Sequence, residues 1–249
     1  MRQEDKIYLY QDSLISLLNL IEFLIKNKIK PLNIKDSNCN PTLLDEIVRL
    51  EIKENKQIIK KIINKWGKTI FKIVYYTYLS SDPNKELIIY YFLLNCIKYN
   101  NNVINRQNLT CVSASLKLAK YVSREAHKMK GFLRFSELKN NILYAEIEPT
   151  NNVIEILSVH FKNRLKNEYW IIFDKKRDIV SIYDKTNFYL INGNNIRMNL
   201  KDKKEDEYEN MWKDFYRTVG ISERKNDKCR LNFMPKKYWK NMLEVREEK

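Results

Sequence analysis

Apolar residues recur along this chain at two different periods, and the change between them divides the sequence. The run Ile7-Tyr8-Leu9-Tyr10 predicts a short opening strand, after which Asp12 or Ser13 caps a helix through about Lys26. From Thr42 to Met129 the apolar positions fall mostly three and four apart. That spacing predicts helices over 42–51, 55–65, 67–79, 84–98 and 112–129, broken at Ser80-Ser81-Asp82-Pro83 and by the asparagine-rich stretch 99–108. In the last of these, Leu118, Val122, Ala126 and Met129 form the inward stripe. Lys120, Arg124, His127 and Lys128 form a second, basic stripe, which also complements the macrodipole at the helix end.

After Gly131 the period becomes two. Phe132–Leu138 and Ile142–Glu148 read as a hairpin around Lys139-Asn140-Asn141. A turn centred on Asn140 sets Arg134 opposite Glu146, with Leu133, Phe135, Ala145 and Ile147 on the other face. Pro149 stops the strand. Asn152 and Glu155 have capping-box spacing for a helix to Leu165, with Val153, Leu157, Phe161 and Leu165 inward and His160 packed and hydrogen-bonded at the border of that stripe. Trp170–Phe173 is apolar on both faces and predicts a central strand. Ile179–Tyr183 returns from it and Asn187–Ile191 adds another. A helix from Glu205 to about Val219 carries Tyr208, Met211, Trp212 and Phe215 at core spacing. The fold class is α+β: a helical N-terminal half packed with a small, mostly antiparallel sheet flanked by helices. The division falls near residue 110, giving regions 1–110 and 111–249, with a single domain also open.

Charge adds a partner to this picture. The 249 residues carry a net charge of +15, which favours a polyanion. The chain is also crowded with Lys, Ile and Asn and holds only four Gly and five Pro, so a compositional origin of the excess stays open. Cys39, Cys96, Cys111 and Cys229 are scattered, which argues against a disulfide framework, a zinc site or an iron–sulfur cluster. Gly67, Gly131, Gly193 and Gly220 are isolated, so neither a P-loop nor a dinucleotide fingerprint is present, and no cofactor is expected. The longest apolar stretch, Leu87–Ile97, is too short to span a bilayer, and no cleavable signal opens the chain; the expectation is a cytoplasmic protein without a membrane partner.

Candidate chemistry gathers in three places. The segment from Ala126 to Phe135 places His127 beside Lys128, Lys130 and Arg134 where helix meets strand, with Gly131, Phe132 and Phe135 interleaved. Asp174 precedes three cations, Lys175, Lys176 and Arg177, on a hairpin tip. Residues 221–240 hold seven basic and two acidic side chains. Among them are Arg224, Lys225, Lys236 and Lys237, with Tyr238 and Trp239 between lysines. Cations serve phosphates and flat rings serve bases, so these residues are the candidate nucleic-acid contacts. Docking of Tyr238, Trp239 and Met242 into a core is the structural alternative. His127, with Glu146, Glu148 or Asp174, is the candidate acid–base set.

Several segments together resemble one bacterial family associated with DNA repair and DNA metabolism. They are Ile7–Tyr10 with Gln11 and Asp12; Glu125–Phe135; Tyr144–Pro149; His160–Arg164; Trp170–Arg177; Glu223–Asn226; and Met234–Lys240, which includes Pro235. The resemblance is strongest from Val122 to Glu244. It implies work on DNA beside a radical-SAM protein of DNA modification or repair, and a related domain is fused to some members of the uracil-DNA glycosylase superfamily. Three functions follow: a factor binding duplex, single-stranded or damaged DNA alongside that partner; a hydrolase of nucleic acid or of a base–sugar bond; and a scaffold for a protein partner.

Overall fold

The opening run forms strand β1 (Ile7–Tyr10), buried along its whole length. Helix α1 (Leu14–Lys26) follows, and Ser13 caps it by accepting the Ser16 N–H on Oγ at 3.0 Å. The chain returns as β2 (Asn33–Asp36), and β3 (Ile47–Arg49) lies on the other side of β1, giving a parallel sheet of order β2-β1-β3. Neither β2 nor β3 is expected from the sequence. The helix expected over 42–51 is replaced, where the chain is described, by β3, because Val48, Leu50 and Ile52 alternate with Ile47, Arg49 and Glu51 at a period of two. The computed structural model describes residues 6–37, 46–52, 54–138, 141–193 and 226–242. The helix expected over 205–219 lies outside them, as do Arg224 and Lys225.

Helices α2 (Ile58–Tyr78), α3 (Lys85–Tyr99) and α4 (Thr110–Phe132) follow, with a 3-10 segment, Asn100–Asn105, before the last. The two helices expected over 55–79 are one segment bent at Gly67, whose φ of 87° and ψ of 166° leave the helical region. An L side chain is strained there. The chain divides into two compact units, residues 1–123 and 124–249. In the first, Leu17, Leu24, Ile34, Ile70 and Phe92 are among the core side chains, each 0–1% exposed, and each such burial stabilises by roughly 1.5–3 kcal/mol. Tyr10 and Glu86 meet within this unit, the hydroxyl donating to the carboxylate at 3.0 Å.

The second unit holds β4 (Ser136–Leu138), β5 (Ile142–Ile147), α5 (Ile154–Arg164), β6 (Tyr169–Asp174), β7 (Ile179–Tyr183) and β8 (Phe188–Asn192). It closes on α6 (Asp227–Phe233) and a 3-10 segment, Lys236–Asn241. The sheet order is β4-β5-β6-β7-β8, antiparallel except between β5 and β6, which α5 joins in parallel. The α+β architecture and the central place of β6 match the expectation. So does the hairpin register, since Ser136 faces Tyr144 and Leu138 faces Ile142. Helix α5 packs on β6, β7 and β8, with the Ser158 and Ser181 hydroxyls bonded at 2.7 Å in the buried contact. Gly193 ends β8 where its backbone passes against Asp178 and Phe173, with no room for a Cβ.

Two local expectations fail here. Helix α4 does not stop before Gly131: it runs through it to Phe132, and β4 starts only at Ser136. Helix α5 begins with Val153 as N-cap and no side-chain cap, so the Asn152–Glu155 capping box does not form.

Candidate nucleic-acid interface

Helix α4 sends Glu125 and His127 to different sides, because two helical residues stand about 200° apart. Glu125 faces inward at 6% exposure, between the buried Val122 and Met129, while His127 is exposed. The Glu125 carboxylate accepts from Thr150 N (2.9 Å), Asn151 N (2.7 Å), Asn151 Nδ2 (2.7 Å), the Tyr238 hydroxyl (2.9 Å) and Lys237 Nζ (3.2 Å). Burial alone would raise its pKa; the two backbone donors, the Tyr238 hydroxyl and the Lys237 charge outweigh burial and bring it down to about 2. A carboxylate so stabilised is a poor base. It works as a tie between α4, the loop after β5 and the C-terminal 3-10 segment.

A second buried carboxylate closes the same region. Asp174, 0% exposed at the end of β6, accepts from Lys176 N (3.0 Å) and Arg177 N (3.3 Å), and pairs with Arg177 Nη1 at 3.0 Å. Its pKa is raised, burial exceeding the help of Arg177 and the turn N–H groups. The same guanidinium donates to Pro149 O at 3.2 Å and to Thr150 O. Lys237 reaches the Thr150 hydroxyl at 3.0 Å. The segments 125, 148–151, 174–177 and 237–240 therefore converge at the carboxyl ends of β5 and β6.

Convergence there joins charges of opposite sign. Glu146 takes the Lys175 ammonium and the Tyr144 hydroxyl (2.9 Å), Glu148 takes Lys240 at 2.7 Å, Asp174 takes Arg177 and Glu125 takes Lys237. The expected Arg134–Glu146 pair is replaced, Glu146 being committed to Lys175. Arg134 folds back instead, Nη1 donating to Gly131 O at 2.6 Å and Leu133 O at 3.2 Å, and so serves the carbonyls that end α4. None of these hydrogen bonds joins His127 to Glu146, Glu148 or Asp174.

The aromatic candidates lie inside. Tyr238 and Trp239 are each 6% exposed, and buried rings offer no open face to a base. Tyr238 packs on Phe132 with centroids 5.3 Å apart, and Trp239 Nε1 donates to Met234 O at 2.8 Å beneath Arg230 and Lys236. Pro235 opens this 3-10 segment, its carbonyl accepting Tyr238 N at 3.0 Å, and Asn226 caps α6 by accepting Cys229 N at 2.9 Å. The docking alternative thus fits the geometry. Phe135 meets Phe161 edge-on at 5.1 Å, and Trp170 stacks on Tyr183 at 5.0 Å.

Other cations stand apart from these pairs. Among the described residues, Arg124, Lys128 and Lys130 on α4, Arg164 on α5 and Lys176 at the hairpin tip join none of the ion pairs. Lys130 and Arg164 lie near His160, whose pKa is lowered by burial and then by those two charges. The His160 Nε2 is buried with no hydrogen-bond partner among the described residues, so the hydrogen bond expected of this histidine is not made at that nitrogen within them. Like charges gathered together favour an anion between them.

Residues that sequence reasoning passed over are Glu125, Thr150 and Asn151. The available signal was Glu125 itself, a charged residue inside the inward stripe of α4. Among the described residues no cluster of three or more His, Cys, Asp or Glu could hold a metal, and no helix is long and apolar enough to cross a membrane. One family model, described as a domain of unknown function (DUF4130), matches residues 83–244. No curated protein and no solved structure matches the chain.

Proposed function

From the premise that the chain belongs to the DUF4130 family, we propose that it binds DNA as a repair or modification factor working beside a radical-SAM protein. The partner is taken from the motif resemblance, and the radical chemistry resides in that partner. The observation that carries the reading is the sorting of cations into two sets. Lys175, Arg177, Lys237 and Lys240 are held by carboxylates. Exposed Arg124 and half-buried Lys128 and Lys130 on α4, with exposed Arg164 on α5, stand free of ion pairs among the described residues. The first set supports the unit; the second is available to phosphates, with His127 exposed beside it. Lys176 extends the second set at the hairpin tip.

Fluorescence anisotropy with duplex, single-stranded and lesion-containing DNA across a salt series tests this. Binding that weakens steeply with salt is expected. Anisotropy that stays flat at low salt for all three probes overturns it. No hydrogen bond among the described residues joins His127 to a carboxylate in support of the hydrolase reading.

A further inference from the structure

The carboxyl ends of the parallel strands in the first unit carry a cavity lined by none of the residues proposed to meet DNA. The order β2-β1-β3 sets the two strands that follow β1 in sequence on opposite sides of it, so the direction of the sheet's growth reverses between β1 and β3. In open parallel sheets that reversal is where ligands bind, outside the carboxyl ends of the strands. A cavity of about 700 Å³ sits at this place, lined by residues 9–11 at the end of β1, 49–52 at the end of β3, and Ser16 and Asn19 of α1. Its size falls in the range of small-molecule sites.

One wall of the cavity is preformed. Asn19, 4% exposed, donates to Ile15 O (2.8 Å) and Asn55 O (3.4 Å) and accepts Asn55 N (3.1 Å), pinning the chain beyond β3 to α1. In the first turn of α1 the Ser16 N–H is already held by Ser13 Oγ, and Ser16 Oγ accepts Gln11 N at 3.1 Å. Among the described lining residues the positive group is Arg49, exposed at the end of β3. Glu51 and Glu54, also exposed and lining the cavity, suit hydroxyl donors, as an acidic residue does for a ribose. Leu50 and Ile52 supply an apolar surface for a flat ring.

The geometry points to a nucleoside monophosphate as the occupant, its phosphate on Arg49, its sugar hydroxyls on Glu51 or Glu54 and its base against Leu50 and Ile52. A single phosphate is specified because the described lining offers one guanidinium and the sequence has no glycine-rich loop to cradle a di- or triphosphate.

Calorimetric titration of the full chain with AMP, GMP, CMP and UMP, with adenosine and inorganic phosphate as controls, tests the site. At least one monophosphate is expected to bind saturably and more tightly than either control. Arg49→Ala, at an exposed position, is expected to weaken it about tenfold or more. Leu50→Trp, which fills the cavity, is expected to abolish it, with circular dichroism reporting that the variant folds. The proposal is overturned if no monophosphate binds at millimolar concentration, if inorganic phosphate binds equally well, or if Arg49→Ala binds like the parent. DNA anisotropy on Arg49→Ala is expected to be unchanged, which separates failure of this site from failure of DNA binding.

Discussion

The Tyr238 hydroxyl donates to the Glu125 carboxylate at 2.9 Å, joining residues 113 positions apart in the chain. With Thr150, Asn151 and Lys237 on the same carboxylate, this interaction makes stability depend on acid. The Glu125 pKa falls from 4.5 to about 2 on folding. A depressed folded value gives stability that is complete above the unfolded pKa and is lost as pH falls from about 4.5 towards 2. The difference is worth about 3 kcal/mol. Urea unfolding at neutral pH and again in the acid range is expected to show this loss, and Glu125→Gln is expected to remove most of the acid dependence while lowering stability at neutral pH.

Packing and base-stacking make opposite demands on the two aromatic residues. Tyr238→Phe keeps the ring and removes a hydrogen bond to a charged group, an expected cost of about 1.5–3 kcal/mol in unfolding free energy. Trp239→Ala is expected to cost about 3–5 kcal/mol. DNA affinity of the folded Tyr238→Phe variant is expected to equal that of the parent. A specific loss of single-strand binding without a loss of stability would return these rings to a recognition role.

The two sets of cations are separable by salt dependence. Replacing Lys128, Lys130 or Arg164 with Ala is expected to weaken DNA binding and to reduce the slope of log K against log salt by about 0.9 for each duplex phosphate left without its cation. Lys240→Ala, which leaves Glu148 unpaired, is expected to change that slope less. Equal slopes for all four variants would remove the distinction on which the DNA-binding reading rests.

Gly67 offers a purely backbone prediction. Its φ of 87° disfavours a side chain, although a Cβ there meets nothing within 4 Å. Gly67→Ala is therefore expected to destabilise by about 1–3 kcal/mol through conformation alone. Equilibrium urea denaturation measures it, and an unchanged midpoint would show that α2 accepts a straight path at this point.

Much of the architecture was legible because it rests on local chemistry. The capping pair Asp12 and Ser13 announced α1, the period-two pattern gave β4 and β5 with their register, and the two-faced apolar run Trp170–Phe173 gave the middle strand. What escaped depends on distant partners. β2 and β3 are short and gain their place only beside β1. Gly131 suggested a helix end, yet Arg134 satisfies the carbonyls there and Phe132 packs on Tyr238, so the helix continues past it. The candidate site was read as cations and rings, and sequence does not tell which cations have a carboxylate waiting. Lys175, Arg177, Lys237 and Lys240 found one; no spacing along the chain could have paired Lys240 with Glu148 across 92 residues.

The parallel junction of β5 and β6 has a consequence for assembly in time. Hairpins such as β6–β7 close between neighbours in sequence, but Ile142 can meet Tyr169 only after the intervening helix has formed and turned the chain back. Non-local closure of this kind slows folding and leaves apolar strand edges open to other molecules in the meantime. Refolding of the second unit is thus expected to give lower yields as protein concentration rises, with aggregation competing at the step that brings β5 to β6.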